Sequence, residues 1–128
     1  MSRANVLDAS ALLALLKGET GWEIVATYLP FSTMSAVNVS EAVAKSVENG
    51  ADPVIVRERI LDKEMVILPF EQDDAFTAGN LRSTTREYGL SFGDRACLAL
   101  AQRLDMPVLT SDLAWQGLDI GVELIFIR

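Results

Sequence analysis

The chain has 128 residues, 50% of them hydrophobic, with 18 acidic and 11 basic side chains and a net charge of −7. Such a length suits one domain spanning residues 1–128 that buries roughly two thirds of its unfolded surface, and the composition excludes a disordered chain and argues against a protein that coats nucleic acid or membranes with Lys and Arg. With no histidine and one cysteine, Cys97, there is no intrachain disulfide, no His-ligated zinc and no histidine general base.

Asn5–Leu7 reads as a short buried strand that runs into Asp8. The stretch before it lacks the apolar centre of a signal peptide, and no apolar run reaches the length of about 18 residues needed to span a membrane, so a cytoplasmic chain is expected. Asp8-Ala9-Ser10 opens a helix over Ala11–Lys17, stopped by Gly18. Thr20 can cap a second helix from Gly21 to about Leu29, ended by Pro30. Thr33–Ala36 reads as a second strand, and Asn38 as the cap of a third helix running to Asn49 before Gly50. Asp52-Pro53 is a cap followed by a first-turn proline, so Pro53–Leu61 is predicted helical. Met65–Leu68 is a strand. The next helix is predicted over Asp73–Tyr88, with Ala75, Phe76, Ala78 and Leu81 facing inward. After a break at Gly89-Leu90-Ser91, Phe92–Leu104 is a helix apolar on several sides, which requires burial. Pro107–Thr110 is a strand, a helical turn follows Asp112, and Val122–Ile127 is the last strand.

Strands alternating with helices predict an α/β fold: three α/β/α layers around a mainly parallel sheet. In such sheets ligands bind beyond the carboxyl ends of the strands. There the chain places acids. Asp8 follows the first strand and Asp112 the fourth, while Glu41 and Asp94 lie near the starts of two helices. One reading makes all four helix-start residues: Asn38–Glu41 and Ser91–Asp94 fit capping boxes, and Asp8 and Asp112 fit N-caps. The other makes them one site, with Thr110-Ser111-Asp112 beside Asp8-Ala9-Ser10 as a cluster of oxygen donors. The two roles can coexist. Four neighbouring carboxylates cannot all stay ionised without counter-charge. No Lys or Arg adjoins Asp8, Glu41 or Asp112 in sequence, so a divalent cation is the natural partner, and hard oxygen ligands suit Mg²⁺ or Mn²⁺.

Four segments carry a resemblance: Val6-Leu7-Asp8-Ala9-Ser10, Ser35–Glu41, Leu90–Ala101 with Asp94 inside it, and Val108–Trp115 with Asp112 inside it. Together they resemble the PIN domain, and most closely the VapC-type toxins of bacterial toxin–antitoxin pairs. The resemblance implies a three-layer α/β/α fold and a Mg²⁺- or Mn²⁺-dependent endoribonuclease of single-strand type. It assigns Asp8, Glu41, Asp94 and Asp112 as catalytic acids, with Asp8, Asp94 and Asp112 as metal ligands. It sets Thr110 at a hydroxyl position and makes Ser10 a supporting partner of Asp8. It also implies a cognate antitoxin, an RNA substrate and a homodimer.

Arg82, Arg86 and Arg95 are candidates for RNA phosphate contacts, the first two sharing a helix face at i, i+4, against the plainer reading of a solvated face. Lys45, four residues after Glu41, fits an ordinary ion pair. Leu12, Leu13, Leu15, Leu16, Trp22, Val25 and Leu29 give the first two helices more apolar surface than one face needs, so some of it can form a partner groove. Trp22 and Trp115 read as packing residues and Cys97 as an inert core thiol. Competing functions are a PIN-fold nuclease or RNA-processing protein outside a toxin–antitoxin pair, and a receiver-like signalling module. The receiver reading lacks both the aspartate at the end of a central strand and the lysine beyond a later one. No glycine-rich loop follows a strand, which disfavours nucleotide binding.

Overall fold

Val6 and Leu7 point to opposite faces of one strand and both are fully buried, so that strand is covered on both sides. The computed structural model describes residues 3–128; Met1 and Ser2, which the signal-peptide reading includes, lie outside the described residues. Strands β1 (Asn5–Leu7), β2 (Ser32–Ser35), β3 (Val66–Leu68), β4 (Val108–Thr110) and β5 (Leu124–Phe126) form one sheet in the order β3-β2-β1-β4-β5. Every pairing is parallel, where the sequence predicts a mainly parallel sheet. The helices are α1 (Ala9–Lys17), α2 (Trp22–Tyr28), α3 (Ala36–Glu48), α4 (Pro53–Leu61), α5 (Gln72–Thr84) and α6 (Phe92–Leu104).

The register sets Val6 beside Val108 and Leu7 beside Leu109. Leu7 and Leu109 pack with Leu12 of α1, Ala42 of α3 and Ile60 of α4. Val6 and Val108 pack on the other face with Leu81 of α5 and Leu98 of α6. These two cores are the two interfaces of the three-layer arrangement. From β1 the chain runs outward to β2 and β3, then returns to β4 on the far side of β1. The strand order therefore reverses between β1 and β4, and the crevice outside their carboxyl ends is the position where open α/β sheets bind ligands. A receiver would have the order 2-1-3-4-5, so the topology removes that reading. Among the described residues no helix is long and apolar enough to cross a membrane.

Several element starts and ends differ from the sequence reading. Thr20 does not cap α2. The cap is Gly21 at φ 94°, with no side-chain hydrogen bond, and a Cβ there would run into the carbonyl of Ile127. The helix ends at Tyr28, and Pro30 lies in a separate 3₁₀ turn, Leu29–Phe31. The cap of α3 is Ser35, whose hydroxyl accepts from the Val37 amide at 3.2 Å, so the helix starts before Asn38. Helix α5 ends at Thr84, not Tyr88, where Thr85 donates its hydroxyl to the Leu81 carbonyl at 2.6 Å and a 3₁₀ turn follows over Arg86–Tyr88. Arg82 and Arg86 thus do not share one helical face. The inner stripe of α5 is Asp74, Ala78 and Leu81, while Ala75 is exposed and Phe76 is 68% exposed. Asp74 can take that stripe because Arg103 of α6 pairs with it at 2.9 Å and the Glu71 amide donates to it at 3.0 Å. Trp115 is buried in the second core as expected, but Trp22 is 43% exposed and belongs to neither core. Leu12, Leu13 and Val25 are core, so the first two helices keep less free apolar surface than their composition suggests.

Candidate active site

Asp8 leaves the end of β1 and is only 5% exposed. As the cap of α1 it accepts the Ala11 amide at 2.8 Å. It also accepts the Ser10 hydroxyl on Oδ1 at 2.6 Å and the Thr110 hydroxyl on Oδ2 at 2.5 Å. Ser10 in turn accepts the Ser111 amide, and Thr110 the Asp112 amide, each at 3.0 Å. Two hydroxyls therefore lace the loop after β1 to the loop after β4 across the switch point. Burial pushes the Asp8 carboxyl up to about 6; the Ser10 and Thr110 hydroxyls and the Ala11 amide oppose that rise, and the charge of Asp94 adds to it.

Because Ser35 caps α3, no capping box forms between Asn38 and Glu41. Asn38 sits inside the helix, 1% exposed, and its Nδ2 donates to Glu41 Oε1 at 2.7 Å and to the Gly93 carbonyl at 2.9 Å. The second box does form: Ser91 accepts the Asp94 amide at 3.1 Å and Asp94 accepts the Ser91 amide at 3.0 Å. Gly93 lies between them, and the space its Cβ would take is filled by the Glu41 carboxylate. One turn further along α6, burial raises the Cys97 thiol, and the charges of Asp8, Asp94 and Glu41 raise it further. The charges of all three carboxylates thus reach the first turns of α6, although Asp8 itself stands at the end of β1.

Asp112 stands apart. It is exposed, caps the 3₁₀ turn Leu113–Trp115 through the Ala114 amide at 3.0 Å, and joins the network only through its own N–H. Among the described residues no three acids surround one point as a ready cation cage. Among the same residues the ion pairs are Arg3–Glu123 and Arg103–Asp74, neither of which involves any of the four acids. The expected Glu41–Lys45 pair is not formed; Asn38 holds Glu41 instead. Hard oxygen donors without a basic counter-charge suit a divalent cation. Mg²⁺ is commonly held by one or two carboxylates with water and substrate phosphate completing its shell, so an open set of acids fits it.

Of the expected phosphate contacts, Arg82 and Arg86 are exposed at the end of α5 and in the turn after it. Arg95 is half-buried and donates Nη1 to the Ala78 carbonyl at 2.9 Å, tying α6 to α5. Three residues to which the sequence reading gave no part in the site matter here. Asn38 and Gly93 place Glu41, and Arg128 donates Nε to the Ser111 carbonyl at 3.1 Å beside Asp112. Arg128 could have been found, because a fifth parallel strand ends at the same edge as the other four.

Residues 6–120 match the PIN domain family. No curated protein matches the chain. Among solved structures, a toxin–antitoxin complex from Klebsiella pneumoniae is similar at 20% identity and a TM-score of 0.75, over 97% of this chain and 98% of that one. A sarcin–ricin-loop-cleaving VapC toxin of Mycobacterium tuberculosis is similar at 15% identity and a TM-score of 0.74, over 93% and 98%. A member of the VapBC family of toxin–antitoxin systems from the same organism is 25% identical, with a TM-score of 0.65, over 98% of each chain.

Proposed function

Because this chain belongs to the PIN domain family, we propose that it is a Mg²⁺- or Mn²⁺-dependent endoribonuclease and the toxin of a type II toxin–antitoxin pair. The observation that carries this reading is Asp8: a buried carboxylate at the switch point, held by two hydroxyls, under the charge of Asp94 and, among the described residues, with no basic residue paired to it. Leaving such a group charged is costly unless a cation is its working partner. The similar toxin–antitoxin structures support the toxin role, and the RNA-cleaving neighbour supports RNA as the substrate.

In this reading Asp8, Asp94 and Asp112 hold the cation. When bound, it supplies charge neutralisation and water activation for an in-line displacement at phosphorus. Ser10 and Thr110 grip both Asp8 oxygens and fix the carboxylate's plane. Glu41 completes the acidic set from α3. Cleavage leaves a 5′-phosphate and a 3′-hydroxyl. The cognate antitoxin covers exposed apolar surface: Leu61 of α4 and Ile67 of the edge strand, in a groove that Val39 and Val43 of α3 and Pro53 of α4 also line. The protein itself is a homodimer.

The test is cleavage of single-stranded RNA by the purified protein. Activity with Mg²⁺ or Mn²⁺ and none in EDTA is expected, with 5′-phosphate ends on the products. Undiminished cleavage in EDTA overturns the metal dependence. The toxin role is tested by co-expression with the small protein encoded beside it, which is expected to co-purify and to suppress cleavage.

A further inference from the structure

We propose that Asn38 and Gly93 together form a seat that holds the Glu41 carboxylate in place for divalent-cation binding, an inference that rests on the nuclease reading of the same site. Asn38 is 1% exposed, and its Nδ2 reaches two acceptors on two helices, Glu41 Oε1 at 2.7 Å and the Gly93 carbonyl at 2.9 Å. Its orientation follows from its partners. Turning the amide over would press a carbonyl oxygen against a carboxylate and another carbonyl. The remaining oxygen, Oδ1, is buried and has no hydrogen-bond partner. An unpaired buried acceptor costs stability, and asparagine is a weaker helix former than leucine. An apolar side chain of the same shape would avoid both costs. What asparagine supplies is the donor to Glu41.

Gly93 carries a second cost toward the same end. It sits in the first turn of α6 without a left-handed φ, so its backbone makes no demand for glycine. Alanine is the better residue in a helix. The atoms that a Cβ would meet are the Glu41 carboxyl carbon and its two oxygens. Those atoms end a flexible side chain, so alanine would displace Glu41 and leave the helix intact. Two residues on different helices thus each give up stability, and both concessions place one carboxylate. Asn38 and Gly93 are positioning residues; neither touches the reacting atoms.

The experiment measures Mn²⁺ binding to the full chain by the electron paramagnetic resonance of free Mn²⁺, together with thermal unfolding in EDTA. Gly93→Ala and Asn38→Leu are each expected to weaken Mn²⁺ binding about tenfold or more, the usual effect of displacing a charged group that supports the metal's ligands from just outside them. Their unfolding midpoints in EDTA are expected at or above that of the unaltered protein, which a merely structural role would not give. Adding Gly93→Ala to Glu41→Gln is expected to cause no further loss, since both act through one group. If the unaltered protein binds Mn²⁺ and both variants bind it equally well, the seat is overturned and the nuclease reading stands. If the unaltered protein does not bind Mn²⁺, the metal reading and the seat fall together. Should Asn38→Leu fail to fold, Gly93→Ala decides alone, because the three atoms nearest its Cβ all belong to the flexible tip of Glu41.

Discussion

Asp94 does two things at once: it accepts the Ser91 amide in a capping box, and its charge bears on Asp8. Asp94→Asn keeps the size and part of the hydrogen bonding. A residue that only caps would cost about 1 kcal/mol of stability or less when so changed, with activity intact. The expected outcome is different: RNA cleavage at saturating Mg²⁺ falls by orders of magnitude, while thermal stability in EDTA holds or rises as repulsion is relieved. Asp8 makes a pH-dependent prediction. Its carboxyl is raised from 3.8 to about 6, so the folded state holds that proton more tightly than the unfolded chain. Stability from this group is present at low pH and is lost as pH rises through 6, by roughly 3 kcal/mol in all. In metal-free buffer, denaturant midpoints of the unaltered protein should therefore decline between pH 4 and 7 by more than those of Asp8→Asn. Equal slopes for the two proteins would show that Asp8 does not titrate as its burial implies.

At the scale of elements, the two helices on the second face of the sheet illustrate how tertiary packing overrides local pattern. Phe76 lies 68% exposed on α5, because Asp74, paired with Arg103, occupies the inner stripe. Phe76→Ala is expected to change stability by no more than about 0.5 kcal/mol. Leu98 of α6 is fully buried among Val6, Val108 and Trp115. Leu98→Ala is expected to cost about 2–5 kcal/mol, since it removes buried methyl groups and leaves a cavity. Urea unfolding of both variants checks the pair, and similar losses would contradict the layer assignment of α5. In α3, the shift of the cap from Asn38 to Ser35 turns Asn38 from a terminal residue into the internal donor to Glu41.

For the whole molecule, strand order decides where the chemistry collects. The reversal between β1 and β4 leaves a crevice at which Asp8 and Thr110 are hydrogen-bonded to each other, and the charge of Asp94, from the first turn of α6, bears on it, while Glu41 of α3 lies against Gly93 in that same turn. A cation bound there binds the folded state and not the unfolded one, so it must stabilise the fold by mass action. Mn²⁺ is expected to raise the thermal midpoint of the unaltered protein in a concentration-dependent way and to leave Asp8→Asn nearly unmoved. A rise of the same size in both proteins would place the cation elsewhere on the molecule.

The sequence by itself determined the alternation of strands and helices, the two acids that follow strands and the two near helix starts, and the lack of histidine and of a second cysteine. These are local properties, set by hydrophobic period, turn residues and composition. It also showed Ser91–Asp94 as a capping box, because that motif is closed within four residues. The competing box at Asn38–Glu41 looked the same locally, and only the structure separates them: Ser35 outcompetes Asn38 as the cap, and Gly93 from a helix more than fifty residues away offers Asn38 a carbonyl. Which residues of α5 face inward was likewise undecidable from its own period, since the answer depends on Arg103 of another helix. Strand order, the linking of Ser10 to Thr110, and the seat of Glu41 all join residues distant in the chain. Such contacts arise from packing layers against one another, and no window of neighbouring residues contains them.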